Sequence, residues 1–302
     1  MADDSSNRGA PTRREYVKYG GAVVGGGLLA GCTGQSDSGS TPTETSTETA
    51  TTTPTETVEA TETETSTHDG PYTVEMFPVG EVEFDAVPES VTTYNGGWAD
   101  MVVSLGQTEK LKTDRLSAPK LFYDRFDIDW STDYAALWQD SGWSKEVMYE
   151  RDPDVFLIDP NYLAAYGDWG ESDNEEIRNN IGPLFGCYNR RIRADWQMEM
   201  DYPEKAPSML EAFDKVGSVL KERARTDAWL NLHADMQAEV QSRLPEDTET
   251  PSIGLINSGS TPEKGEFYVL YLEDNGYEMK PYRDLGLVEA DAFAGVETGQ
   301  YG

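Results

Sequence analysis

The feature that most constrains this fold is a stretch that cannot join it. Residues 33–70 contain no lysine or arginine and are dominated by threonine, glutamate, serine and proline. Such a segment buries too little apolar surface to offset the entropy of ordering it. Its glutamates repel and its prolines stiffen, so the composition predicts an extended, disordered stalk. Folding is left to residues 71–302, about 230 positions, enough for one large or two small domains.

The chain before the stalk reads as an export address. Arg13 and Arg14 stand side by side ahead of Glu15-Tyr16-Val17-Lys18, and a small and apolar run follows from Gly20 to Gly31. Twin arginines mark the export route for folded proteins. The run is shorter than the roughly 20 residues a spanning helix needs, and it is rich in glycine. A charged start, a short apolar middle and small residues at the end describe a signal peptide over 1–32. Leu29-Ala30-Gly31-Cys32 resembles a bacterial-type lipobox, which implies lipidation of Cys32 and attachment to the membrane. The plain alternative is an ordinary signal peptide with a chance cysteine. The expected location is the outer face of the cytoplasmic membrane.

Charge excludes one class of partner. Residues 71–302 carry 20 Lys+Arg against 45 Asp+Glu, a net charge of −25. Phosphate binding needs a basic face, so nucleic acid is not expected. The excess is spread along the whole chain, which points to a solvated acidic surface of the halophilic kind rather than to a cation site. With Cys32 assigned to the lipid, Cys187 has no partner for a disulfide and reads as a small buried residue. The two histidines, His68 and His233, are too few to suggest a metal site or a catalytic triad. No cofactor, resident metal or catalytic residue is expected.

Strands and helices then alternate. YTVEMF and EVEF flank Pro78-Val79-Gly80 and predict a hairpin. Ser90 to Tyr94 reads as a strand, Asn95-Gly96-Gly97 as a turn, and Trp98 to Leu105 as a helix stopped by Gly106. A short helix beginning at Glu146 runs into Asp152-Pro153-Asp154. The unbroken apolar run Val155 to Ile158 then reads as a parallel strand buried on both faces. Glu175 to Asn180 is helical, and Leu184 to Tyr188 is a third strand. From Ser208 towards Leu244 apolar residues recur at helical spacing, and the stripe Trp229, Leu232, Met236, Val240 is expected to pack in the core. Ser252 to Ile256 and Phe267 to Leu272 are further elements. The class is α/β with a mostly parallel sheet.

Taken in order, several pieces resemble the helical-backbone class of substrate-binding proteins of ABC importers, which serve ferric siderophores, haem and cobalamin. They are Val87-Pro88-Glu89-Ser90-Val91 leading to Ala99 through Gly106, Glu146 through Val155, and Ile181-Gly182-Pro183-Leu184-Phe185. The resemblance spans 86–295. It implies two α/β lobes with mostly parallel sheets joined by one long helix, with the ligand held between them. Mapped here, 71–205 is the first lobe, 206–245 the connecting helical region, and 246–302 a second lobe that is apparently incomplete. It implies a binding protein rather than an enzyme, whose partners are a permease and its ATPase. In the family a glutamate seven residues before the proline of a Pro-Asp pair docks on the permease, and Glu146 holds that place relative to Pro153. It is equally one acidic surface residue among many.

Ligand contacts are expected in the loops after the strands: 94–98, 161–162, 189–193 and 258–267. A ferric siderophore or cobalamin-like chelate suits aromatic walls and one or two arginines. Trp98, Tyr162, Arg190 and Arg191 are the candidates. The alternative places Trp98 in the core and pairs the arginines with carboxylates. Two other functions stay open: a secreted hydrolase with paired carboxylates, and a stalked surface protein. No nucleophile elbow, metal-ligand motif or phosphate loop is present to favour catalysis.

Overall fold

The computed structural model describes residues 70–115, 120–140, 142–192, 194–244, 251–257, 263, 269–272 and 276–293. Arg13, Arg14, Cys32 and the stalk lie outside the described residues, as do Arg193 and nearly all of the 258–267 loop.

The chain enters through an antiparallel hairpin, β1 (Tyr72–Met76) and β2 (Gly80–Phe84), in register from Tyr72 opposite Phe84 to Met76 opposite Gly80. The sheet that positions everything else is parallel. β3 (Val91–Thr93) pairs with β6 (Val155–Leu157), and single bridges extend this pair to Leu111 on one side and Leu184 on the other. Between them run α1 (Gly96–Ser104), a two-stranded hairpin of β4 (Trp138–Gln139) and β5 (Gly142–Trp143), and α2 (Lys145–Arg151).

β6 shows why the run Val155 to Ile158 has no polar interruption. Side chains alternate across a strand. Val155 and Leu157 enter a core built with Trp98, Val102 and Val216, while Phe156 and Ile158 enter a second core with Met148, Leu163 and Ile177. All four are buried, each worth roughly 1.5–3 kcal/mol of burial. β3 carries polar residues on the same terms: Thr92 Oγ1 donates to Lys112 O at 2.8 Å and Thr93 Oγ1 to Thr113 Oγ1 at 3.3 Å, so burial leaves no hydroxyl stranded. The third parallel segment lies close to β6. A Cβ on Gly186 would sit 2.6 Å from the backbone carbon of Ile158, so only glycine fits there.

After β6 come α3 (Pro160–Ala165), α4 (Glu171–Asn180), α5 (Asp195–Glu199) and α6 (Tyr202–Lys205). The helical region that follows is two helices, not one continuous span from Ser208 to Leu244. α7 (Met209–Val219) opens on a capping box, Ser208 with Glu211. It ends where Lys221 turns left-handed at φ 57°, and the Glu222 N–H returns to Gly217 O at 2.9 Å. α8 (Arg223–Arg243) is the long helix, 21 residues or about 30 Å. Thr226 is its one buried residue and packs directly against Gly217.

The stripe on α8 departs from expectation. Trp229, Leu232 and Met236 are 46, 56 and 56% exposed rather than packed in the core. Helical spacing specifies that residues share a face; it does not specify what covers that face. The Trp229 indole N–H donates to Ser104 O at 2.8 Å, which ties the start of α8 back to α1.

Beyond α8 the described elements are short: β7 (Ser252–Ile253), β8 (Leu255–Ile256), β9 (Val269–Leu270), α9 (Lys280–Asp284) and β10 (Val288–Glu289). β10 pairs with β7 in parallel and β8 with β9 antiparallel. The protein is thus α/β with small sheets, parallel where β3 meets β6 and β7 meets β10 and antiparallel in the three other described pairs, with strands both before and after α8 in the chain. No described helix is long and apolar enough to cross a membrane.

Candidate functional site

Three parallel segments end at the same edge of the sheet, and each delivers an aromatic residue there. β3 passes into Tyr94 and Asn95, and the Asn95 side chain caps α1 by accepting from the Trp98 N–H at 3.2 Å. β6 passes through Ile158 into Asp159, which caps α3 and places Tyr162 in its first turns. The segment from Leu184 ends at Tyr188. Carboxyl ends of parallel strands are where α/β folds bind ligands.

The rings form a continuous surface. Tyr162 stacks on Tyr188 with centroids 4.3 Å apart and planes at 11°. Tyr94 meets Tyr162 at 5.4 Å and Trp143 edge-on at 4.7 Å. Trp138 meets Trp143 at 4.9 Å and 90°, and Tyr166 lies 4.8 Å from Tyr162. Four of them, Tyr94, Trp138, Tyr162 and Tyr188, border a cavity of about 350 Å³ whose wall also includes Asp114 and Arg190. Burial pushes the Tyr162 and Tyr188 hydroxyls above the usual tyrosine range. These phenols stay neutral, so they offer faces for stacking and O–H groups for hydrogen bonding, not phenolate charge.

Beneath the stacked pair lies one buried carboxylate. Asp159 is 4% exposed. Its Oδ1 accepts from the Asn161 N–H at 2.8 Å and the Tyr162 N–H at 3.4 Å. Its Oδ2 accepts from the Tyr188 N–H and from the Tyr202 hydroxyl, both at 2.6 Å. The same carboxylate therefore sets the backbone under both rings of the pair. Burial pushes Asp159 up to about 6, against the pull of these four hydrogen bonds. A carboxylate so enclosed and so fully engaged is placed to hold structure rather than to reach a substrate.

The expected site residues fall as follows. Tyr162 is at the centre of the aromatic surface. Trp98 is 3% exposed and belongs to the core under α1. Arg190 is on the cavity wall after Tyr188, and both Arg190 and Arg191 pair with Glu278, Arg190 at 3.1 Å. Glu146 is exposed in the first turn of α2, three residues after Trp143; its own backbone N–H and the Ser144 hydroxyl hold its carboxyl below the usual range. Cys187 is fully buried, and burial pushes its thiol up, so it is no nucleophile. Among the described residues no cluster of three His, Cys, Asp or Glu could hold a metal ion.

Sequence reasoning missed Trp138, Trp143 and Glu278. The first two had a signal. Asp140-Ser141-Gly142 is a turn sequence with a tryptophan on each side, and Asp140 does turn left-handed at φ 47°. Glu278 had none, because its partners are 87 and 88 residues away.

Two other cavities are chemically less apt. One of about 610 Å³ lies beside β2 and is lined in part by the Glu171 and Arg178 pair. Another of about 390 Å³ lies between α8 and α9 with an almost wholly apolar wall that includes Met236, Val240 and Leu285.

No family model and no curated protein matches the chain. Solved structures do. The chain is similar to the siderophore-binding protein BauB, solved with ferric iron and two molecules of acinetobactin, at 15% identity and TM-score 0.48, covering 72% of this chain and 67% of that one. It is similar to Staphylococcus aureus SirA, solved with staphyloferrin B, at 16% identity and TM-score 0.48, with 74% and 66% covered. It is also similar to the petrobactin-binding protein YclQ of Bacillus subtilis, at 15% identity and TM-score 0.48, with 73% and 67% covered. The chain thus spans about two thirds of the length of these proteins.

Proposed function

We propose that this chain is the extracytoplasmic substrate-binding component of an ABC importer, capturing a ferric siderophore or a related iron or cobalamin chelate and passing it to a permease. The observation that carries this reading is the aromatic surface of Tyr94, Tyr162 and Tyr188 at the carboxyl ends of the parallel strands, joined by Trp138 and Trp143 from the β4–β5 hairpin. Flat, neutral rings with hydroxyl donors at one edge suit a large chelate that presents aromatic or amide surface. Arg190 on the cavity wall and its neighbour Arg191 add charge-assisted hydrogen bonds. Trp98 supports this surface from the core. Arg13, Arg14 and Cys32 support export and anchoring, and exposed Glu146 is the proposed contact with arginines of the permease.

Trp138 and Trp143 make the site self-reporting. Folded residues 71–302 in high salt, titrated with ferric siderophores, haem and cobalamin, should show saturable quenching by one of these classes. Tyr162→Ala should weaken that binding about tenfold, the worth of one good stacking contact. A folded sample that responds to none of them would overturn the transport reading. In cells, Glu146→Arg should retain binding but lose most chelate uptake, and Cys32→Ser should move the protein from the membrane pellet to the soluble fraction. Unchanged uptake would remove Glu146 from the docking surface, and unchanged sedimentation would remove the lipid from Cys32.

A further inference from the structure

Arg190, on the wall of the aromatic cavity, shares one glutamate with its neighbour Arg191. Arg190 Nη2 donates to Glu278 Oε1 at 3.1 Å. Arg191 takes the same carboxylate with Nη2 on Oε1 at 2.9 Å and Nε on Oε2. Burial works against the Glu278 charge, yet Arg191 and Arg190 hold its carboxyl below the usual range, so it is ionised at neutral pH. The backbone keeps it in place. The Tyr277 N–H donates to Asn189 O at 2.9 Å and the Glu278 N–H to Arg190 O at 3.2 Å. Gly276 makes this approach possible, since a Cβ there would lie 2.1 Å from Arg190 O.

The arithmetic of charge follows. Among the described residues, these two guanidinium groups and one carboxylate together carry a single net positive charge. Asp114 on the cavity wall is paired with Arg151 at 3.1 Å and adds none. We propose that Glu278 is a specificity-determining residue of this site: by engaging both arginines it limits the positive charge offered to the cargo, so the site takes neutral or singly anionic ferric chelates in preference to polyanionic ones. This rests on the transport reading above. A trianionic chelate approaches a chain whose residues 71–302 carry a net charge of −25, and the fixed, partly buried Glu278 cancels one of the two arginine charges that would offset that repulsion. A neutral chelate meets the rings and one residual positive charge.

The test compares two probes, a neutral ferric trihydroxamate and a trianionic ferric tris-catecholate, by tryptophan quenching. Wild-type protein should bind the trihydroxamate at least tenfold more tightly. Glu278→Gln, which keeps the side-chain oxygen but removes the charge, should shift the affinity ratio at least tenfold towards the tris-catecholate. Glu278→Asp, which keeps the charge, should leave the ratio within about threefold of wild type. A wild-type preference for the tris-catecholate, or a ratio unmoved by Glu278→Gln, overturns this proposal while leaving the transport reading standing. Failure of wild type and both variants to bind either chelate overturns both.

Discussion

Replacing Arg151 by alanine should cost about 3–5 kcal/mol of folding stability, the loss expected when one partner of a buried ion pair is removed. Arg151 and Asp114 have side chains 1% and 6% exposed. The guanidinium does more than pair with Asp114. It donates to Lys112 O at 3.3 Å and to Ala135 O, and it lies 5.8 Å from the Tyr134 ring. One group at the end of α2 thus holds two separate stretches, 112–114 and 134–135, which frame the wall of the aromatic cavity. Alanine leaves a buried carboxylate without this counter-charge and removes one donor each from Ala135 O and from Lys112 O, the latter keeping the Thr92 hydroxyl. Urea denaturation gives the loss directly. Arg151→Lys should recover little, because an ammonium cannot reproduce the fork. The double variant Arg151→Ala, Asp114→Ala should be more stable than Arg151→Ala alone. A loss below 1 kcal/mol would show that the pair is not what fastens these stretches.

The second large effect is a dependence on pH located in Asp159. Its folded value of about 6 stands above the ordinary 3.8 because burial outweighs its four hydrogen bonds. A raised carboxyl is protonated more readily in the folded chain than in the unfolded one. Its contribution to stability is therefore fully present below about pH 4 and is lost as the pH rises through about 6. A shift of about two units corresponds to roughly 3 kcal/mol. The other carboxylates add their own slope, so the measurement is a difference. Between pH 7 and pH 4 wild type should gain roughly 3 kcal/mol more than Asp159→Asn. Parallel curves for the two proteins would assign the slope to the acidic surface instead. Asp159→Asn should also weaken chelate binding at pH 7. One amide oxygen cannot accept from the Tyr188 and Tyr162 N–H groups together, so the stacked pair loses its common anchor.

Local chemistry explains which parts could be read in advance. The hairpin at 72–84, the helix after Asn95-Gly96-Gly97 and the strand at 155–157 all rest on contacts between near neighbours or on unbroken patterns. Tyr162 was legible because it follows a strand that the Asp-Pro-Asp stop announces. The left-handed turn at Lys221 was not, because a lysine carries no signal for that conformation, although the apolar spacing does lapse over Lys221 to Arg225. Periodicity identified the face of α8 and could not say that Trp229, Leu232 and Met236 would remain exposed.

The sequence by itself determined the α/β class, the hairpin at 72–84, the strands at 91–93 and 155–157, the acidic balance of the chain and the places where loops follow those strands. These depend on pattern and composition, which are properties of neighbouring residues. Only the tertiary structure decided that Tyr162 and Tyr188 stack, that Trp138 and Trp143 join them, that Asp159 anchors the pair, and that Arg190 and Arg191 share Glu278. Those facts depend on groups far apart in the chain. Stacking and ion pairing act over only a few ångströms, so they are set by how segments meet in space and leave no trace in the spacing of residues along the chain.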